Sequence, residues 1–362
     1  MRDFAEVKRI VIKVGTNVLG GAAGVAPGRL AGIARQMAAL TAQRRQAILV
    51  TSGAIGMGAT ALGIRHKINE VKKRQACAAV GQAILMHEYE KAFAAYGQKV
   101  AQVLLTYDHF STRKYYVNLK NTMETLLALG IVPIVNENDC VSIDEIDLAF
   151  GDNDKLSALV ASKIDAQLLV LLTDVDGLYD RNPKAGPGAR LIPVVYEISP
   201  VIEAMAGKAG STFSTGGMAS KLRAIRIAAA AGCKVVLANG KQDDVIDRIM
   251  AGEEVGTLFL PRRRLSNRKR WILNCPPEGH LDIDAGAAAA LLNHKSLLLV
   301  GITEVRGRFA AGAVVTIGAV AKGLAESGAE ELEMLLRTRE QEPPAAGKHK
   351  AVVHVNNLVL LE

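Results

Sequence analysis

Along the first two thirds of the chain, short apolar runs alternate with longer segments of helical period. Residues 9–14 (Arg-Ile-Val-Ile-Lys-Val), 47–50, 100–105, 131–135, 168–172 and 235–237 are rich in Val, Ile and Leu and end in polar or Gly-rich turns. This is the pattern of strands buried on both faces. Between the first two runs, Leu30, Ile33, Met37 and Leu40 recur at helical spacing behind Pro27, a residue suited to a first helical turn. Helices are also predicted over 71–96, between the strands at 100–105 and 131–135, and over the Ala-rich stretch 218–231. The alternation predicts a three-layer α/β/α domain around a mostly parallel sheet. Ligands of such sheets bind beyond the C-terminal ends of the strands, and the polar, Gly-rich segments fall there.

Near Thr257 the pattern changes. Basic residues dominate 262–264 and 268–270, followed by Trp271, Pro276 and Pro277. Beyond Gly279 come short β-like runs at 297–300, 314–317, 351–355 and 358–361, with helical pieces at 285–292 and 330–337. The expected organisation is a catalytic domain over 1–261, a basic linker over 262–278 and a small β-rich domain over 279–362. The 362-residue length accommodates two domains, and 49% hydrophobic residues suffice for a full core.

Charge and cysteine usage narrow the class. A net charge of +8 favours anionic partners such as nucleotides, nucleic acid or acidic metabolites. Cys77, Cys140, Cys233 and Cys275 form no CxxC pair, which argues against a zinc site and a disulfide scaffold. The N-terminal Met-Arg-Asp-Phe-Ala-Glu has no apolar signal core. No apolar run approaches the roughly 20 residues of a membrane helix. A cytoplasmic protein without a membrane segment is expected.

Several strand ends carry candidate chemistry. Lys13 closes an apolar strand beside Gly15; it is either an edge lysine reaching solvent or an ammonium facing a phosphate. Thr51-Ser52-Gly53-Ala54-Ile55-Gly56 is either a tight turn or a nest of N–H donors for an anion. Asn136-Glu137-Asn138-Asp139 and Gly151-Asp152-Asn153-Asp154 suit turns and N-caps, and equally an amino acid's ammonium and carboxylate. Thr173-Asp174-Val175-Asp176 follows another strand and fits a turn, a ribose or base contact, or a metal. Thr215-Gly216-Gly217-Met218-Ala219-Ser220-Lys221 opens a helix where main-chain N–H groups reach a phosphate, with Lys221 on the first turn. No segment has the dinucleotide or P-loop spacing, and no Cys/His cluster or Ser/His/Asp motif is present.

Taken in order, these motifs resemble the glutamate 5-kinases of the amino acid kinase superfamily. Asn136 to Asp139 followed by Gly151 to Asp154 is the most specific part, and Arg268-Lys269-Arg270-Trp271 resembles the segment before that family's C-terminal PUA domain. The resemblance implies ATP-dependent phosphorylation of the γ-carboxylate of L-glutamate, the first step of proline synthesis, with Mg²⁺ held mainly by the ATP phosphates. By matching position, Lys13 and Lys221 would contact the phosphates and Asp154 would hold those lysines. Ser52, Asp139 and Asn153 would bind glutamate, with Gly53, Ala54 and Asn138 lining that pocket. Lys13, Gly15, Thr173, Asp174 and residues 215–221 would surround ATP. Proline as feedback inhibitor and a homo-oligomer, dimer or tetramer, are also implied. The chain departs from the pattern at Asn17, where Ser is common, and at Phe213-Ser214, where a small residue and Gly are usual. Residues 317–323 leave little room for the hairpin expected of a PUA domain. The competing expectations are another amino acid kinase, such as an acetylglutamate kinase or aspartokinase, and an RNA-binding role for the PUA-like domain. Against RNA, the basic run has Trp271 alone as an aromatic for base stacking.

Overall fold

The computed structural model describes residues 2–20, 26–66, 68–141, 153–183, 188–205, 217–261, 264–341 and 351–361. The chain divides into two compact units, Met1–Arg264 and Leu265–Glu362.

Among the described residues, the first unit is built on an eight-stranded sheet in the order β3-β4-β2-β1-β5-β7-β8-β6. The strands are β1 (Arg9–Val14), β2 (Gln46–Val50), β3 (Val100–Leu105), β4 (Val132–Glu137), β5 (Leu168–Thr173), β6 (Val194–Val195), β7 (Lys234–Asn239) and β8 (Thr257–Phe259). The pairs are parallel except β7 with β8. The helices are α1 (Thr16–Leu19), α2 (Pro27–Ala42), α3 (Ala54–Ala61), α4 (Val71–Ala94), α5 (Asp108–Ser111), α6 (Arg113–Ala128), α7 (Asp154–Lys163), α8 (Pro200–Met205), α9 (Met218–Ala230) and α10 (Val245–Met250).

Side-chain alternation along the strands sorts these helices onto two faces. Ile10, Ile12, Leu49, Ile134, Val170 and Val236 point into one core with residues of α2, α4 and α10. Val11, Ile48, Val50, Val135, Leu169 and Leu237 point into the other, with α6, α7 and α9. Lys13 has the parity of Val11, so its side chain leaves β1 on the face covered by α7 and α9.

The second unit opens with α11 (Asn267–Asn274), inside the stretch expected to be a linker. The Ser266 side chain caps this helix by accepting from the Lys269 main-chain N–H. Ile272 and Cys275 are buried with Val314, Leu324 and Val359. Periodicity did not announce α11, because apolar Trp271, Ile272 and Leu273 are consecutive and basic residues occupy the preceding turn. The remaining elements are β9 (Gly279–Ile283), α12 (Ala285–Leu292), β10 (Leu297–Leu298), β11 (Ile302–Arg306), β12 (Val314–Ile317), β13 (Ala321–Leu324), α13 (Ala329–Gln341), β14 (Ala351–Val353) and β15 (Leu358–Leu360). Described strands form a five-stranded sheet, β11-β9-β12-β13-β15, and a β10-β14 pair. A tight hairpin does form at 317–321: Ile317 pairs with Ala321, and the turn begins at Gly318 with φ +50°. That left-handed backbone value suits glycine and permits the short connection.

Candidate active site

The parallel strands β1, β2, β4 and β5 end side by side, and the N-termini of α3, α7 and α9 begin among the loops that follow. At the centre lies a buried ion cluster. Lys13 Nζ stands 2.7 Å from Asp154 Oδ1, with side-chain exposures of 2% and 1%. Lys221 Nζ stands 3.0 Å from Asp154 Oδ2 and is 6% exposed. One carboxylate therefore bridges two ammonium groups from β1 and α9. Burying a lone ammonium is prohibitive, and these exposures exclude the reading of Lys13 as an edge lysine reaching solvent. The three groups together carry one more positive charge than negative. Gly15 adjoins the cluster; a Cβ there would lie 3.4 Å from Lys13 Nζ and 3.5 Å from the Leu172 carbonyl oxygen. Its φ is an ordinary −77°, and those distances are ordinary contacts, so neither backbone strain nor a clash demands glycine here.

A second constellation joins the ends of β2 and β4 to the start of α7. Asn153 sits at the N-cap position of α7, yet its side chain caps nothing. Its Nδ2 donates to the Thr51 carbonyl, to Asn136 Oδ1 at 2.8 Å and to Ser52 Oγ at 3.2 Å. Holding these partners places Asn153 in the left-handed region, φ +38°, which Asn tolerates better than most residues. Gly53 is at the N-cap of α3 with φ +108°, a value that needs glycine, and Ala54 is buried on the first turn. Asn138 is tied through its main-chain N–H to the Leu105 carbonyl at 2.8 Å, at the end of β3. The Asp139 carboxyl is pushed above the usual carboxylate range by burial, with the positive charge of Arg74 acting in the opposite direction.

A third group lies at the ends of β5 and β7. Thr173 Oγ1 donates to Asp174 Oδ1 at 3.3 Å, and Asn17 Nδ2 donates to Asp174 Oδ2 at 3.0 Å. Asn17, in α1, thus ties the helix that follows β1 to the residue that follows β5. Asp176 accepts from Asn239 Nδ2 at 2.9 Å, Tyr179 OH at 3.0 Å and Gln242 Nε2 at 3.3 Å. The Asn239 hydrogen bond leads the effects that lower its pKa. Gly217 is the N-cap of α9 and makes no side-chain cap; Met218, Ala219 and Ser220 form the turn that leads to Lys221. Thr215, Gly216, Phe213, Ser214, Gly151 and Asp152 lie outside the described residues.

Sequence reasoning overlooked Gln82, Tyr89 and Asn239, the partner of Asp176. Gln82 Oε1 accepts from Asn136 Nδ2 at 2.8 Å, and the Tyr89 hydroxyl is 2.8 Å from Thr51 Oγ1. The available signal was a polar pair seven residues apart on a helical face that also carries Leu85 and Phe93. Polar groups on a buried stripe require partners. Among the described residues, no three His, Cys, Asp or Glu side chains gather as a metal site.

Comparison with known proteins matches this chain to a family. The amino acid kinase family model covers residues 8–239, and the PUA domain model covers 279–345. The glutamate 5-kinase of Methanosarcina mazei is 47% identical, over 91% of this chain and 89% of that protein. The glutamate 5-kinase of Moorella thermoacetica is 45% identical over 99% and 97% of the two chains. That of Geobacter sulfurreducens is 44% identical over 99% of both. With full-length similarity at this level, and with the mostly parallel sheet and β-rich second unit described above, the chain belongs to the amino acid kinase family and, within it, to the glutamate 5-kinases.

Proposed function

We infer that the chain transfers the γ-phosphoryl group of ATP to the γ-carboxylate of L-glutamate, forming L-glutamyl 5-phosphate and ADP, the first step of proline biosynthesis. The observation that carries this reading is the buried Lys13–Asp154–Lys221 cluster at the C-terminal strand ends. A carboxylate nucleophile has a solution pKa of about 4.3 and arrives ionised, so the site needs no general base. The obstacle is the approach of one anion to another. In the transfer, a carboxylate oxygen bonds to the γ-phosphorus while the bond to the β-phosphate oxygen breaks and its electrons leave with ADP. Lys13 and Lys221 would stand at the phosphoryl oxygens on both sides of that exchange. Asp154 holds both ammoniums, one on each carboxylate oxygen, against their mutual repulsion.

Ser52, Asn153, Asn138 and Asp139, with Gly53 and Ala54, would form the glutamate pocket. Thr173, Asp174, Gly15 and residues 215–221 would hold the nucleotide. Mg²⁺ would enter on the ATP oxygens and supply charge neutralisation there, held by phosphates and water. Both Asp154 oxygens already face ammonium groups, which fits a nucleotide-borne ion rather than a protein cage. Proline inhibition at the glutamate pocket, a dimeric or tetrameric assembly and a cytoplasmic location belong to the same proposal through the family. No described helix is long and apolar enough to cross a membrane.

The test is acyl phosphate trapping with hydroxylamine, using ATP and glutamate, aspartate or N-acetylglutamate in parallel. Hydroxamate is expected with glutamate. Product from aspartate or N-acetylglutamate without product from glutamate would overturn the assignment.

A further inference from the structure

Behind the glutamate pocket run three buried amides, Asn153, Asn136 and Gln82. Their orientations are dictated by the main chain. The Thr51 carbonyl can only accept, so Asn153 must turn its NH₂ toward it. The Glu137 main-chain N–H can only donate and lies 2.9 Å from Asn136 Oδ1. That oxygen therefore accepts, from Glu137 and from Asn153, and the Asn136 nitrogen is left to face Gln82. Gln82 must then present its oxygen to Asn136. Its own Nε2 is buried and has no hydrogen-bond partner among the described residues. An unmet buried donor is costly, and turning the amide over would set two NH₂ groups against each other. The acceptor at this position is what the arrangement requires.

Helix α4 delivers that acceptor. It crosses α3 so closely that a Cβ on Gly81 would lie 1.8 Å from the Ala54 carbonyl oxygen, and one on Gly58 would lie 1.8 Å from the Cys77 carbonyl oxygen. Only glycine fits at both positions, and the crossing carries the next residue, Gln82, to the end of β4.

We propose that Gln82 is a positioning residue of the glutamate site. Its Oε1 orients Asn136, Asn136 orients Asn153, and Asn153 sets the Ser52 hydroxyl and the first residue of α7. The inference rests on the glutamate kinase reading above and adds the residue through which α4 controls that pocket.

The experiment is steady-state kinetics of Gln82→Met, close to Gln in volume and without the acceptor, and of Gln82→Glu, which restores it. Gln82→Met is expected to raise KM for glutamate roughly tenfold to a hundredfold, the effect of stranding a buried donor, with KM for ATP within about twofold. Gln82→Glu is expected to recover most of the loss. In an Asn153→Ala background, Gln82→Met is expected to add less than about threefold, because the two act in series. The proposal fails if Gln82→Met leaves KM for glutamate within twofold, if it raises both KM values equally, if Gln82→Glu recovers nothing, or if the effects multiply in the double variant. Should Gln82→Met not fold, Gln82→Glu decides alone: KM for glutamate is expected within about threefold of the parent, and a tenfold rise overturns the proposal. Failure of the glutamate kinase reading itself is distinct, because the parent enzyme would then form no hydroxamate from glutamate.

Discussion

Lys13 in β1 and Lys322 in β13 are both strand lysines withdrawn from water, and they are satisfied in different ways. Lys322 is half-buried and donates to the Leu273 carbonyl at 3.3 Å and the Cys275 carbonyl at 3.0 Å. Those carbonyls belong to the C-terminal end of α11, where main-chain acceptors have run out of helical partners. Burial lowers the Lys322 pKa, as expected for an ammonium offered only neutral acceptors. Lys13 instead shares the Asp154 carboxylate with Lys221. The first arrangement is complete in itself and closes a helix. The second gathers two cations on one anion, and in the proposed reaction an incoming phosphoryl group would supply further negative charge. On the proposed function, the contrast separates a lysine that builds structure from one that would receive a ligand, and it rests on the charge of the partners rather than on burial.

The largest expected effect tests the ligand-seeking side of that contrast. Lys221→Ala is expected to lower turnover by roughly 10²–10³-fold, the scale of losing one transition-state donor, with KM for glutamate little changed. Single-turnover hydroxamate formation checks this, and undiminished turnover would remove Lys221 from the mechanism. A smaller effect concerns the acid that would meet the substrate's ammonium group. Burial raises the Asp139 pKa, so Asp139 takes up its proton at a higher pH than an ordinary aspartate as the pH falls. Glutamate affinity should therefore weaken on acidification before the usual carboxylate range is reached. In Asp139→Asn, affinity should be weak throughout and that pH dependence absent, as a KM–pH profile would show.

The smallest effect belongs to Lys322. Replacing it by Met should cost roughly 1–2 kcal/mol through two lost hydrogen bonds, seen in denaturant unfolding, with turnover unchanged. The linkage sign follows from the lowered pKa: between the lowered folded value and the ordinary lysine range the unfolded chain holds more protons, so stability rises with pH across that window and is level below it. The same slope should vanish in the Met variant. A loss of turnover in Lys322→Met would erase the distinction between the two lysines.

Much of the catalytic unit was legible because its strands are continuous apolar runs and its helices are long and periodic. Arg9–Val14 and Val100–Leu105 match their predicted limits, and β4 extends its run to Glu137. The β7–β8 antiparallel pair and β6 were not predicted, because two- and three-residue strands leave no period to detect. At the site, Asn153 shows the limit of local rules. Local preference marks Asn before a helix as a cap, and Asn153 does occupy the cap position, but its side chain serves Thr51, Ser52 and Asn136. Gln82 escaped notice for a related reason: its partner lies 54 residues away.

What the sequence by itself determined was parity and punctuation. Alternation along β1 sets Lys13 on the same face as Val11, and the Gly, Asn and Asp clusters mark where strands stop. Those features act over a few residues, through backbone sterics and side-chain period, and survive without knowledge of the fold. Only the tertiary structure decided that α7 and α9 would lie over that face, bringing Asp154 and Lys221 together across 67 residues of chain. A buried ion cluster forms where packing excludes water and supplies a counter-charge at hydrogen-bond distance, and neither condition is a property of any local segment.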